Sequence, residues 1–133
     1  MSSKPNRTAE EWTNIGGMLN GEEQYEDALV AFNRAIAVDS KYAEAYYGRG
    51  STYFFLNKYQ LAIPDLSQAI DLSTAMQTIH LEGRELRVAA FDFSTAMRTI
   101  HLESRELRLL CYLGLKDYQR ALSDLKFGLK GPI

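Results

Sequence analysis

The stretch AEEWTNIGGMLNGEEQYEDALVAFNRAIAVDSKY, Ala9 to Tyr42, is followed at once by AEAYYGRGSTYFFLNKYQLAIPDLSQAIDLST, Ala43 to Thr74. At a shift of 34 positions, aromatic, small and large apolar residues of one stretch fall on residues of the same kind in the other. This self-similarity at a fixed period predicts a repeat architecture. The matched pairs are Trp12 with Tyr46, Gly16 with Gly50, Leu19 with Tyr53, Tyr25 with Tyr59, Ala28 with Ala62, Phe32 with Leu66, Ala35 with Ala69 and Val38 with Leu72.

Each unit contains two segments whose apolar residues recur at intervals of three and four, with a short polar turn between them. That spacing is typical of a pair of antiparallel amphipathic helices. Small residues such as Gly16, Ala28 and Ala35 stand where two helices approach closely, while Trp12 and Phe32 fill the adjoining space. One hairpin cannot bury both of its faces, so we expect it to stack on the next.

The pattern resembles the tetratricopeptide repeat, a unit of about 34 residues that forms a helix-turn-helix. The resemblance implies an all-α, right-handed solenoid of about seven helices. We expect a single domain throughout 1–133. Its expected parts are an N-terminal tail (1–8), repeat 1 (9–42), repeat 2 (43–74), a duplicated helical block (69–89 and 90–110) and the end of repeat 3 (111–133).

The C-terminal segment CYLGLKDYQRALSDLKFGLKG supplies the end of the third repeat at a shift of 59 positions. It therefore begins 25 residues later than a third unit in register would place it, and a duplication of 21 residues accounts for most of the delay. The matched positions are Tyr112, Tyr118, Ala121 and Leu125, which fall on Tyr53, Tyr59, Ala62 and Leu66.

The duplicated block contains STAMQTIHLEGRELR (Ser73 to Arg87) and STAMRTIHLESRELR (Ser94 to Arg108). Ser and Thr are favoured at helix N-caps, so Ser73 or Thr74 is expected to start a new helix, and Ser94 and Thr95 to break the chain again. The prediction is two helices, at about 75–90 and 95–113.

Two alternatives follow from the same block. One continuous helix from Thr74 to Leu113 would carry the last helix away from its own body and would need a second chain, giving a domain-swapped homodimer. Alternatively, the two copies compete for one groove on repeat 2, which would make a conformational switch. The competing apolar sets are Ala75, Met76, Ile79 and Leu86 in the first copy and Ala96, Met97, Ile100 and Leu107 in the second.

Composition excludes several classes of protein. The 133 residues carry a formal net charge of -2, which gives no electrostatic reason to expect nucleic acid as a partner. The single cysteine cannot form an internal disulfide, and no apolar run is long enough to span a membrane. The segment MSSKPNRTAEEW lacks the apolar core of a secretory signal peptide. These features favour a cytoplasmic protein.

The residues with reactive side chains do not form a catalytic or metal-binding pattern. His80 and His101 occur in identical IHLE segments because the block was copied, and the HExxH spacing that places two histidines on one helical face is absent. Cys111 lies in an apolar helix, where it is expected to be a small core residue. We therefore predict no catalytic residues, no metal site, no cofactor and no enzymatic activity.

The resemblance implies that the first helix of each repeat lines a concave groove that takes up a peptide or helix of a partner protein. Some family members grip a terminal carboxylate with lysine and asparagine in the first unit, asparagine in the second, and lysine and arginine in the third. Those residues are missing here, so that type of ligand is disfavoured. The residues at these positions are Thr13, Gly17, Gly48, Glu103 and Leu107. The predicted function is a protein-interaction module, with self-assembly through the duplicated helix as the alternative. The predicted groove residues are Glu10, Thr13, Asn14, Gly17, Asn20, Glu44, Tyr47, Gly48, Ser51 and Phe54.

Overall fold

A computed structural model describes residues 6–82 and 87–130, with side chains described for 6–75 and 95–125. All regular structure in these ranges is helical, which confirms the all-α prediction, and the six helices are close to the predicted seven. The helices are α1 (Ala9–Gly21), α2 (Tyr25–Val38), α3 (Ala43–Phe55), α4 (Tyr59–Glu82), α5 (Arg87–Gly114) and α6 (Tyr118–Lys130).

Helix α1 begins at Ala9 because Thr8 forms a capping box with Glu11. The Thr8 side chain accepts a hydrogen bond from the Glu11 amide at 3.1 Å, and the Thr8 amide donates to the Glu11 carboxylate at 2.9 Å. Both bonds satisfy amides that a helix start leaves without a partner. The same bonds lower the pKa of Glu11, because they favour the charged carboxylate.

The turns between the paired helices are the same in all three repeats. Glu23, Asn57 and Lys116 occupy equivalent positions and have φ values of 60°, 61° and 60°. In each turn the next amide bonds back to a carbonyl five residues earlier at 2.8 Å, as in a Schellman motif. The third repeat thus closes with the geometry of the first two, as the shift of 59 positions predicts.

Two arginine networks connect the helices within and between repeats. Arg49 of α3 binds both carboxylate oxygens of Asp65 on α4, at 2.7 and 2.8 Å, and its third donor reaches Asn33 of α2 at 2.9 Å. The same pattern recurs in the third repeat, where Arg108 of α5 binds Asp124 on α6 at 2.7 and 2.8 Å. Its remaining donor reaches a serine on α4, Ser67, at 3.0 Å.

The predicted helix breaks within the duplicated block are wrong. Helix α4 continues through Ser73 and Thr74, and α5 continues through Ser94 and Thr95. The Ser73 and Thr74 hydroxyls donate back to the Ile70 carbonyl at 2.9 and 2.8 Å, a bond that a serine or threonine can make inside a helix. Both hydroxyls therefore bond within the helix instead of capping a new start.

The copied block lengthens two existing helices. Helix α4 has 24 residues where α2 has 14, and α5 has 28 where α3 has 13. The two long helices run antiparallel, since Tyr59 lies against Gly114 while Ser73 lies against His101. One continuous helix from Thr74 to Leu113 is therefore also wrong.

The two copies have different environments. In the second copy, Met97 and Ile100 are buried against Ala43 of α3 and Ala69 of α4. In the first copy, Ala75 is exposed, and the side chains of Met76, Ile79 and Leu86 lie outside the described residues. Competition between the copies for one groove stays a prediction.

The end of the third repeat is less covered than its counterpart in the second. Ala121 is buried, as Ala62 is, whereas Leu125 is 47% exposed although Leu66 is fully buried. The difference follows from packing. Helix α4 lies between α3 and α5, whereas α6 packs against α5 alone among the described helices.

The arginine networks predict an unequal response to removal of a carboxylate. Asp65→Asn should lower the free energy of unfolding by about 1–3 kcal/mol, because it leaves the partly buried Arg49 without its bidentate partner. The control is Asp117→Asn. The Arg120 side chain that pairs with Asp117 is 72% exposed and 3.5 Å away, so this substitution should lower the free energy of unfolding by less than about 0.5 kcal/mol. Urea denaturation followed by circular dichroism measures both, and equal losses would contradict this account.

Two glycines predict opposite effects of adding a methyl group. A Cβ atom on Gly48 would lie 2.3 Å from the buried Phe32 ring, so Gly48→Ala should destabilise the fold by about 1–3 kcal/mol through overpacking. A Cβ atom on Gly17 would meet nothing within 4 Å, so Gly17→Ala should stabilise it by about 0.5–1 kcal/mol through helix propensity. Thermal unfolding of the two variants compares them directly, and a stabilised Gly48→Ala would refute the packing argument.

Candidate functional site

The first helices of the three repeats, α1, α3 and α5, lie side by side and line a cavity of about 480 Å³. The floor beneath them includes Phe32 of α2, which packs against Gly16 and Gly48. These two glycines bring α1 and α3 close to the ring, since any larger side chain would overlap it. The wall residues are Thr13, Gly17 and Asn20 from α1, Glu44, Tyr47, Gly48, Ser51 and Phe55 from α3, and Ala96, Ile100 and Leu107 from α5.

Most of the residues predicted from the sequence come together at this cavity, and three do not line it. Glu10 and Asn14 are exposed on α1 outside it. Phe54 is partly buried among the side chains between α3 and α4, and its ring lies 5.7 Å from that of Tyr59. The predicted residues that line it are Thr13, Gly17, Asn20, Glu44, Tyr47, Gly48 and Ser51.

Phe55 takes the place in the cavity that the sequence analysis gave to Phe54. It is 50% exposed, and its ring stacks on Tyr25 at a centroid distance of 5.6 Å. Neighbouring residues on a helix point about 100° apart, so an error of one position moves a side chain to another face. The aromatic contact with Tyr25 holds the Phe55 ring at the mouth of the cavity.

The third wall of the cavity comes partly from the duplicated block. Ala96 and Ile100 lie in the part of α5 that has no counterpart in α3, and Leu107 lies in the part that does. Ala96 and Ile100 are four residues apart, and Ile100 and Leu107 are seven residues, or about two turns, apart. All three therefore lie on one helical face. The sequence analysis identified them as an apolar set without assigning them to the groove.

Two hydroxyl groups on the cavity walls differ in their hydrogen bonding. Ser51 donates to the Tyr47 carbonyl at 2.8 Å. Thr13 is only 8% exposed, and its Oγ1 has no hydrogen-bond partner among the described residues. Asn20 is held by a separate contact, because its side-chain oxygen accepts a hydrogen bond from Thr52 at 2.8 Å. Thr13 is thus a buried polar group without a bond, which costs free energy in the unliganded protein.

Carboxylates raise the pKa values of groups along the cavity. Burial raises the pKa of Glu44, and the nearby charge of Glu10 raises it further. Burial also raises the pKa of Tyr47 to about 12, with the neighbouring Glu103 carboxylate as the next cause. Each shift means that an additional negative charge is unfavourable at that place. The cavity therefore combines apolar walls with a partly buried carboxyl group, Glu44, whose charged form burial disfavours.

The remaining reactive side chains lie away from this cavity. Cys111 is fully buried, which confirms its predicted place in the core, and burial raises its pKa to about 11. His101 is partly buried with its Nδ1 atom 3.3 Å from the Thr74 hydroxyl, and burial followed by the charge of Arg105 lowers its pKa. The His80 side chain lies outside the described residues.

The described part of the chain has neither a metal site nor a membrane-spanning helix. There, no three His, Cys, Asp or Glu residues are grouped as metal ligands would be. Within the same ranges, no helix has both the length and the apolar character needed to cross a membrane.

Two family models match overlapping stretches of this chain. A model described as TPR repeat matches residues 18–56, and one described as tetratricopeptide repeat matches residues 43–73. Both matches fall on α1 to α4, where the spacing of 34 positions is found.

Curated relatives match over about half of this chain. The UDP-N-acetylglucosamine–peptide N-acetylglucosaminyltransferase of Giardia intestinalis is 32% identical over 63 residues, which are 47% of this chain and 4% of that protein. Neutrophil cytosol factor 2 of Homo sapiens is 38% identical over 73 residues, which are 55% of this chain and 12% of that protein. This chain therefore spans a small part of the length of either relative.

A solved structure with a similar arrangement is that of YrrB, a TPR protein with an unusual peptide-binding site. It has a TM-score of 0.43 and 24% sequence identity, and the match covers 85% of this chain and 63% of that chain. The two family models match the part of the chain in which the period of 34 positions is found. The same part folds into paired antiparallel helices. Residues 18–73 of this chain therefore match tetratricopeptide repeats.

Proposed function

We propose that this chain is a non-enzymatic interaction module that binds a peptide or helix of a partner protein in the cavity lined by α1, α3 and α5. The observation that carries the proposal is the cavity itself, which gathers Tyr47, Phe55 and Ile100 around a concave space of about 480 Å³. Concave, mostly apolar sites with a few polar groups are the usual form of ligand sites in proteins. Tetratricopeptide repeats are in general non-catalytic interaction scaffolds.

The side chains on the cavity support binding of a peptide more than binding of a small metabolite. Tyr47 and Phe55 offer rigid aromatic surface, which loses little conformational entropy on binding. Asn20 and Ser51 place polar groups beside that surface, where they can bond to a peptide backbone. The proposed binding residues are the seven predicted residues that line the cavity, together with Phe55.

Self-assembly through the duplicated block has less support. That hypothesis depended on a continuous helix across the block, whereas α4 and α5 pack against each other within one chain. Homodimerisation stays a prediction, and so does location in the cytoplasm.

The groove proposal predicts that a side chain added at Gly17 blocks binding. Gly17 lines the cavity, and a Cβ atom there meets nothing within 4 Å, so Gly17→Phe should fill the groove without disturbing the core. The test is to select peptides from a random library displayed on phage with the unmodified chain and to measure their affinities by fluorescence anisotropy. We expect Gly17→Phe to weaken binding by about a hundredfold, equivalent to the loss of a binding hot spot.

Gly21→Phe is the matched control. Gly21 lies on the same helix, is equally open to an added Cβ atom and does not line the cavity. The control should bind the selected peptides as well as the unmodified chain does. If both variants bind equally well, the groove is not the binding site.

A further inference from the structure

We propose that the groove selects peptides in which a lysine or arginine side chain stands next to apolar residues, with the cation bound at Glu44. This inference rests on the proposed function and specifies its partner. It starts from the position of Glu44, which lines the cavity, is partly buried and has no salt bridge within the described part of the chain.

The charges around Glu44 have the same sign. Glu10 lies near enough to raise the pKa of Glu44. Burial raises the pKa of the adjacent Tyr42 to about 12, and Glu44, Glu10 and Asp39 contribute to that rise in this order. Glu10 at the start of α1, Glu44 at the start of α3 and Asp39 at the C-cap of α2 therefore form one acidic region beside Tyr42, and no cation is among the causes of either shift.

A second acidic side chain stands further along the groove. Glu103 acts on Tyr47, and it lies on α5 between Ile100 and Leu107, both of which line the cavity. Residues three and four positions apart share a helical face, so Glu103 belongs to the groove side of α5. Negative charge therefore flanks the apolar floor on two helices.

The arginines in the neighbouring helices do not neutralise this region. Arg49 and Arg108 are each engaged by an aspartate, Asp65 and Asp124, in the bidentate networks that join the helices. Their charge is directed to the second helix of each repeat, away from the cavity residues of α1 and α3. Neither arginine is therefore available to pair with Glu44.

An independent observation indicates that the site is incomplete without a ligand. Thr13 lines the same cavity, is more than nine-tenths buried and has an Oγ1 atom without a hydrogen-bond partner among the described residues. Its position on α1 is one turn beyond Glu10. A peptide donor placed in the cavity could satisfy this hydroxyl while the peptide's cation lies at Glu44.

The apolar surroundings decide how selective the site is. Charges on a peptide interact more strongly with Glu44 here than they would at an open surface, because the walls from Tyr47, Phe55 and Ile100 lower the effective dielectric. The same surroundings penalise an acidic residue or a terminal carboxylate, which would add a negative charge to an already negative groove. The favoured partner segment is therefore apolar and basic.

The test uses random peptides displayed on phage, selected in parallel on the unmodified chain, on Glu44→Gln and on the control Glu26→Gln. Glu26 is exposed on α2 and does not line the cavity. Glu44→Gln keeps the shape of the side chain and removes an unfavourable charge, so it should fold, which circular dichroism verifies. We expect the unmodified chain and Glu26→Gln to enrich basic residues beside apolar ones, and Glu44→Gln to lose the basic preference.

A citrulline substitution then isolates the charge. In the best selected peptide, replacing arginine by citrulline removes the positive charge and keeps the size, and it should weaken binding to the unmodified chain about tenfold. The same replacement should have less than about a twofold effect on Glu44→Gln, because the partner charge is already gone.

The outcomes separate the inference from the proposed function. Selected peptides without basic residues, or an equal effect of citrulline on both proteins, would overturn the charge preference while the groove remains a binding site. Failure to enrich any peptide relative to Gly17→Phe would overturn both.

Discussion

Bidentate arginine–aspartate pairs link the helices of the second and third repeats. Arg108 joins α5 to α6 through Asp124 and joins α5 to α4 through Ser67, as Arg49 does for the preceding helices. A bidentate pair with one further bond defines both the distance and the rotation of a helix, because the planar guanidinium has a fixed arrangement of donors. The C-terminal half of α5 is therefore held in the place of a first repeat helix, and the inserted residues must extend from its other end.

The insertion is accommodated because it lengthens two antiparallel helices at the same end. The additional turns of α4 lie at its C-terminus and those of α5 at its N-terminus, so the contacts from Tyr59 to Gly114 and from Ala62 to Cys111 keep the spacing of an ordinary repeat. The cost of extending a packed helix is small compared with that of inserting a separate one, since no additional cap or turn has to form. This arrangement brings Ala96 and Ile100 beyond the usual length of the helix, where they become part of the groove wall.

The sequence predicted what depends on local spacing and missed what depends on tertiary contacts. The period of 34 positions is enough to predict α1 to α3, and the shift of 59 positions aligns Arg49 with Arg108 as well as the apolar residues that were compared. The behaviour of Ser73 could not be predicted, because a serine can cap one helix or bond back within another, and the choice depends on neighbours distant in sequence. Ser73 is fully buried with its Oγ atom 3.4 Å from His101, and that contact exists only when α5 packs against α4. The exchange of Phe54 for Phe55 has a similar origin, since the packing of Phe54 beside Tyr59 decides which ring faces the groove.

The carboxylates of the groove and the packing of its floor place opposite demands on the fold. Phe32 fits between two glycines and contributes to stability through close contact, whereas Glu44 lies beside Glu10 in an arrangement that favours the protonated acid. A carboxyl group with a raised pKa in the folded state lowers stability once the pH is high enough to ionise it in the unfolded chain, and stability recovers as the pH falls through the folded pKa. At a pH where Glu44 is ionised, the fold carries this destabilising charge on the helix that also supplies Tyr47 and Gly48 to the cavity. Such a cost is typical of residues whose role is in binding, because a ligand cation would offset the repulsion that the unliganded groove cannot relieve.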